Sequence, residues 1–473
     1  MTKTNKKTIT LFGEEYISWN NLLEGFKTIS GGVADTLKYQ ILSLDENDLK
    51  KLKKKLKQET DVRCISGSLF DQIITPQSTM SHIDIKSMVN IENRFQYTKK
   101  DISNYNFFEK YLNTDEIESA LTFYKKFYTD LIEKNPLPNM THNLKKSHYI
   151  TLSNKFSDSN KKGLYLISGL HAREWHPPDA LIYFIKILCF AFKNDEDIKI
   201  GLNVFKIDQI KKIVNNLNIY IFPLVNPDGR EFSQQSKNCA DLKWRKNRRR
   251  FSNNIFGVDL NRNFDFLWDY KNYLCKKTAN LSHMSINKNN DNFVGCKAFS
   301  EPETRNVRYV LKKYNNIEYF LDIHSYNHNI NNILYTWSHS KTQTKRDDVN
   351  MKKSKYWGNH GSDFLYSEYT ECTDLELRKE IATEMALAAN KASYYKRKYI
   401  PKPSIDMYLM TGGSRDYMEN RNIMNTKKYP NKIHSFFMEA SSDDFFPTVN
   451  NRKLIIKEII SSIIQLCIKI SNK

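Results

Sequence analysis

The chain has 473 residues, 40% of them hydrophobic, which gives length for one large domain and a smaller one and apolar sequence for their cores. Its 73 Lys and Arg against 53 Asp and Glu give a formal charge of +20, read first as composition bias, because Lys, Asn and Ile recur throughout, and second as attraction to acidic partners. No segment reads as membrane-spanning: residues 454–470 are apolar, but Lys457, Glu458, Gln465 and Lys469 interrupt them at helical spacing, as in a helix packed on a sheet.

The first eight residues lack the apolar stretch of a signal peptide. Residues 37–44 alternate like a strand, 45–58 read as a charged helix opening on Asp45, and 62–65 and 81–85 read as further strands. Asn113 or Thr114 caps a predicted helix over 115–133. Strands are then predicted over 163–170, 217–224, 319–324 and 433–439, and helices over 178–192, 302–314, 375–396 and 454–470. This alternation predicts an α/β fold with a mostly parallel mixed sheet and helices on both faces. The polar stretches 287–292 and 339–355 read as mobile surface loops.

Three of the strand ends carry side chains that suit a metal site. His171 and Glu174 follow the run 163–170, three residues apart, so that an imidazole and a carboxylate can grip one cation. That spacing alone is weak, since a single His near a strand end is often just a satisfied polar residue. His324 closes a second apolar run far downstream. Two His and one Glu leave a position open, and a site with three protein ligands has room for water, whereas a structural zinc site is closed by four. Glu439, ending a third run, is a candidate general base, because strand ends on one sheet edge are where open α/β folds gather their sites.

The chain resembles the zinc metallocarboxypeptidases of the pancreatic carboxypeptidase A/B family. The likeness runs in order through Gly169-Leu-His171-Ala-Arg173-Glu174-Trp175, Val225-Asn-Pro-Asp-Gly229, Trp244-Arg-Lys-Asn-Arg248, Gly257-Val-Asp-Leu-Asn261-Arg262-Asn263, Phe299-Ser-Glu-Pro-Glu303, His324-Ser-Tyr326, Tyr408, Gly412-Gly-Ser414 and Glu439. The resemblance implies one zinc ion on His171, Glu174 and His324, the ligand set for which carboxypeptidase A is known. It implies an exopeptidase acting on peptide or protein C-termini, with Glu439 as base and Arg248 stabilising the oxyanion. Arg262 would clamp the terminal carboxylate with help from Asn261 and Tyr408, and Arg173 would line the site. Asp259 is either a carboxylate orienting a metal-bound imidazole or an ordinary turn cap. Arg245 shares a substrate role with Arg248, leaving Arg249 and Arg250 as solvated surface, so no nucleic-acid partner is expected.

In relatives the residue after Gly-Gly-Ser lies at the base of the pocket for the last side chain. Here it is Arg415, which implies a preference for C-terminal Glu or Asp unless Arg415 turns outward or is neutralised by Asp416. The alternatives are a carboxypeptidase of apolar or basic preference and an inactive zinc-binding pseudoenzyme. The full set of ligands, base and carboxylate binders favours activity.

Residues 1–100, from residue 31 onward, resemble the pro-domain of the family's zymogens, and 101–473 the catalytic domain, with Lys99-Lys100 as a processing site. Relatives are usually secreted, so the compartment stays open between extracellular and cytoplasmic; a monomer is expected. Cys275 and Cys296 are the candidate disulfide, and Asn139 and Asn280 head glycosylation sequons that matter only on a secretory route. Residues 139–161 lack the family's Gly-Arg-Ser-x-Glu-Gly-Arg segment, so an early strand is expected to be remodelled. Phe437 replaces a small polar residue, which suggests a shallower pocket, and the segment after Glu439 is shorter than in relatives.

Overall fold

The computed structural model describes residues 7–14, 28–34, 37–44, 51, 62–66, 111–157, 160–236, 239–272, 283–326, 331–335, 372–404, 410–424, 427–440 and 445–472. The chain divides into two compact units, Met1–Thr98 and Lys99–Lys473. In the first, β1 (Lys7–Glu14), β2 (Thr28–Ala34), β3 (Leu37–Leu44) and β4 (Val62–Ser66) form an antiparallel sheet in the order β2-β3-β1-β4. The strands predicted over 37–44 and 62–65 are β3 and β4. The predicted strand over 81–85 and, apart from Lys51, the predicted helix over 45–58 lie outside the described residues.

Among the described residues of the second unit the first helix is α1 (Thr114–Phe127), where Asn113 and Glu116 exchange side-chain to backbone hydrogen bonds of 2.8 Å in a reciprocal cap. The helix stops short of the predicted Glu133. That residue belongs to β5 (Ile132–Pro136), which pairs antiparallel with β6 (His148–Leu152), so backbone groups that a longer helix would use are committed to the sheet edge. β6 also pairs with β10 (Leu217–Phe222), so a strand does form within 139–161 despite the missing family segment.

β7 (Lys162–Ser168), β11 (Ile317–His324), β12 (Asn331–Tyr335), β13 (Tyr399–Pro403) and β14 (His434–Glu439) complete an eight-stranded sheet in the order β13-β12-β14-β11-β7-β10-β6-β5. Its centre, β14-β11-β7-β10, is parallel, and antiparallel pairings flank it. A small hairpin, β8 (Ile198–Ile200) and β9 (Asn203–Phe205), stands apart from it.

Helices cover both faces, as expected for doubly wound sheets. They include α2 (His176–Asn194), α3 (Ile207–Asn216), α4 (Pro227–Gln235), the short α5 (Cys239–Leu242), α6 (Pro302–Lys313), α7 (Cys372–Ala392), α8 (Ser414–Met424) and α9 (Val449–Ser471). On β7 the alternation of a strand sorts side chains between faces: Tyr165 and Ile167 join the core formed with Val307 and Val310 of α6 and Met418 of α8. α9 packs on α7, α2 and α3, and its Ile456, Ile459, Ile460 and Ile463 are all buried. No helix among the described residues is long and apolar enough to cross a membrane.

Residues 287–292 lie at the surface, as expected of a loop, and carry local hydrogen bonds. Asn287 and Asn290 accept from the backbone two residues on, at 3.0 and 2.8 Å, and the buried Lys246 ammonium donates to the carbonyls of Lys288 and Asn290. The other predicted loop, 339–355, lies outside the described residues. Cys296 carries a free, exposed thiol rather than half of a disulfide, and Cys275 lies outside the described residues.

Candidate metal centre

The site forms where three parallel strands end side by side. β7 leads into Gly169, whose φ of +67° and tight approach to Leu224 and Pro178 leave no room for a side chain. This turn delivers His171 and Glu174, just before Pro177 and Pro178 start α2. β11 ends on His324 and β14 on Glu439, which are direct register partners. All four side chains are at most 4% exposed.

His171 Nδ1 lies 2.7 Å from Glu174 Oε1, His324 Nδ1 lies 2.9 Å from Glu174 Oε2, and the two Nδ1 atoms are 3.0 Å apart. The opposite ring nitrogens face carboxylates: His171 Nε2 is 3.3 Å from Asp259 Oδ1, and His324 Nε2 is 3.0 Å from Asp322 Oδ2. Asp259 favours the His171 tautomer with its proton on Nε2; His324 Nε2 approaches Asp322 without a hydrogen bond among the described residues, and the Nδ1 atoms of both rings converge on the Glu174 carboxylate. Lone pairs facing one another at this distance repel unless a cation or a proton lies between them. The donor set therefore fits a small divalent ion with His and carboxylate ligands. The same imbalance acts on the protons: burial opposes a charge on His324, but Asp322 and Glu174 outweigh it and hold its pKa well above the usual range.

Asp259 caps its turn and also faces the His171 imidazole. Its Oδ1 accepts from Asn261 N at 3.0 Å, capping the turn, and also faces His171, while Oδ2 takes a forked pair from Arg245 at 3.0 and 2.9 Å. Burial pushes the Asp259 carboxyl up, but Arg245 and Arg262 hold it well below its ordinary value. Sequence reasoning missed Asp322, although its position two residues before His324 on a strand is the signal for a shared face. Phe437, likewise two residues before Glu439, stacks on the His324 ring with centroids 4.1 Å apart and planes 14° from parallel. The large side chain there serves as a wall holding the imidazole.

Glu439 Oε2 is buried and has no hydrogen-bond partner among the described residues. Burial pushes its carboxyl up to about 8; His324 and Arg245 lower it and Glu174 raises it. Asn261 is 1% exposed, its Oδ1 accepts from Ser414 N at 2.9 Å, and its Nδ2 has no partner among the described residues. Beside it Arg262 donates to the carbonyls of His283 and Asn261 at 2.7 and 2.8 Å. Gly412, at φ +67°, lies so close to the Arg262 carbonyl that a Cβ would clash, which ties the turn before α8 to this segment.

Arg173 donates to the Lys243 carbonyl, stacks over Phe445 and lies 3.9 Å from Asp291. The Arg248 guanidinium sits over Phe232, Phe256 and Trp244 at 3.6, 4.6 and 4.8 Å, while Arg245 is the arginine on the Asp259 carboxylate. Arg249, expected as solvated surface, is ion-paired to the buried Glu301 at 2.8 Å; Arg250 is exposed, as expected. Arg415 is buried and its NH2 donates to Asp416 Oδ1, leaving NH1 without a hydrogen-bond partner among the described residues. Tyr408 lies outside the described residues.

Comparison with known proteins points the same way. Residues 139–458 match the zinc carboxypeptidase family model. The chain is 29% identical over 275 residues to carboxypeptidase O of Bos taurus and 25% identical over 276 residues to carboxypeptidase B2 of Homo sapiens. These alignments cover 55% of this chain and 65% and 58% of those relatives, under two thirds of each. In fold it is similar to thrombin activatable fibrinolysis inhibitor, with a TM-score of 0.58 at 18% identity over 99% of this chain and 100% of the other. It is similar as well to the carboxypeptidase A of Helicoverpa armigera, with a TM-score of 0.58 at 19% identity over 98% and 97%. With the match extending from residue 139 to 458 and the ligand cluster inside it, the chain belongs to the zinc carboxypeptidase family.

Proposed function

We propose that the protein is a zinc-dependent carboxypeptidase that removes the last residue from peptides, with a preference for C-terminal Glu or Asp. The observation that carries the reading is the convergence of His171, Glu174 and His324 beside a buried Glu439 whose Oε2 is free. When bound by those three ligands, zinc supplies a Lewis acid for water and the scissile carbonyl, and its charge opposes the upward shift at Glu439. Glu439 Oε2 then takes a proton from water and passes it to the leaving amine. The unpartnered Asn261 Nδ2 and the neighbouring Arg262 receive the terminal carboxylate, which restricts hydrolysis to the last bond. Arg245 holds Asp259 against His171, and Arg173 lines the cleft. Arg248, whose guanidinium stacks among aromatic rings, is the residue for the oxyanion.

The acidic preference rests on Arg415 NH1, a buried donor that a substrate carboxylate would satisfy. The pairing of Arg415 with Asp416 favours a second reading, a neutralised pocket without acidic preference. Burial pushes Asp416 up to about 6 against the pull of Arg415, so a substrate carboxylate competes for the guanidinium with an anion that is itself poorly solvated. Initial rates on matched peptides ending in Glu, Phe and Lys separate the two. The acidic reading expects Glu to lead and Arg415→Ala to lose about 1.5–3 kcal/mol of that discrimination, the worth of a hydrogen bond to a charged group. Release of Phe in preference to Glu, with the order unchanged in the variant, leaves the neutralised pocket standing.

A further inference from the structure

A second cluster of possible metal ligands lies where α6 begins. One ligand atom from each of His142, Glu301 and Glu303 falls within 4.8 Å of the others. Both glutamates are fully buried, whereas the His142 side chain is 28% exposed and opens the cluster to solvent. His142 Nε2 is 2.9 Å from Glu301 Oε2. Asn247 Nδ2 donates to Glu301 Oε2 at 2.8 Å and to Glu303 Oε2 at 3.1 Å, and Arg249 neutralises Glu301 through Oε1 at 2.8 Å. Glu303 Oε1 is left buried with no hydrogen-bond partner among the described residues. A buried carboxylate oxygen without a partner is costly, and burial with the neighbouring Glu301 pushes the Glu303 carboxyl up to about 7, a group that a cation would let ionise.

The imidazole is also held in place from below. Thr141 Oγ1 donates to Asp228 Oδ1 at 2.6 Å, Asn143 N donates to Asp228 Oδ2 at 2.9 Å, and Asn139 N donates to Asn306 Oδ1 at 3.0 Å, so the segment carrying His142 is anchored on both sides. One imidazole and two carboxylates on a preformed frame, with a path to solvent, are what a borderline divalent cation requires.

We infer that His142, Glu301 and Glu303 bind a second divalent cation of the zinc type, separate from the His171 site. Asn247 sits in this cluster and also accepts from Val258 N at 2.9 Å through its Oδ1. Asn247 thus gives the cluster a rigid backing, and the cation takes no part in the chemistry at the His171 site.

The test is to equilibrate the full-length protein with Zn2+ and count bound metal by atomic absorption for the wild type, Glu303→Gln and His142→Ala. Glu303→Gln keeps the shape and removes a charge, and His142→Ala alters a partly exposed side chain, so at least one variant should fold as the parent does. The inference expects each to bind one zinc fewer than the wild type with peptide hydrolysis retained. Equal zinc in all three proteins overturns it, as does a loss of zinc that takes hydrolysis with it, because the missing ion would then be the one at His171.

Discussion

Replacing Glu439 with Gln should leave bound zinc in place and lower kcat by about 10²–10⁴-fold, the usual worth of a positioned general base. Gln keeps the size and one oxygen of the side chain but cannot accept the proton. The proposed ligands His171, Glu174 and His324 cluster without Glu439, so zinc binding is expected not to depend on the substituted carboxylate. Glu439 is 4% exposed and ends β14 opposite His324, which gives a neutral amide the same seat. Metal content and turnover measured on the same preparation check the prediction. Unchanged turnover would remove Glu439 from the chemistry, and lost zinc would make it a ligand.

Alanine at His171, Glu174 or His324 should abolish stoichiometric zinc and, with it, hydrolysis, whereas Asp259→Ala should weaken zinc by only about 10–100-fold. The difference follows from position. The first three residues place lone pairs on one point, and each removal leaves two donors where three converge. Asp259 acts through His171 Nε2 at 3.3 Å, so losing it frees the tautomer and orientation of a ligand that is still present. The structural cost at Asp259 is also visible, because Arg245 would be left without its carboxylate. Zinc titration of the four variants against a competing chelator gives the ranking. Full occupancy in any of the three ligand variants would contradict the assignment.

The strands that carry the candidate ligands were legible in the sequence because parallel strands buried on both faces read as largely apolar runs, and the candidate ligands lie at or just past their ends. The runs before His171, His324 and Glu439 became β7, β11 and β14 with edges shifted by a residue or two. Edge elements were harder to read. β2 is interrupted by Gly31 and Gly32, which weaken strand propensity, and the β5–β6 pairing overrode the helical pattern that ran on toward Glu133. α3 has its apolar face on Ile210, Ile213 and Val214, a spacing visible in the sequence but short of the length that makes a helix stand out.

Within the site, residue types were readable and their partners were not. Arg245 and Arg248 look equivalent along the chain; only the fold shows one on Asp259 and the other among Phe232, Trp244 and Phe256. Asp322 reads as a polar residue inside a strand until the sheet places it beside the outer nitrogen of His324. Arg249 looked like one more surface cation in a basic run, and its acceptor, Glu301, is 52 residues away in sequence.

The most direct test of the central claim compares one peptide as its free acid and as its C-terminal amide, each incubated with the full-length zinc-loaded protein before and after limited trypsin treatment, with products read by mass spectrometry. Anchoring of the terminal carboxylate at Asn261 and Arg262 predicts loss of single residues from the C-terminus of the acid and no processing of the amide. Internal cleavage, equal processing of both peptides, or no residue released from either in both preparations would contradict a zinc carboxypeptidase acting at the site of His171, Glu174 and His324.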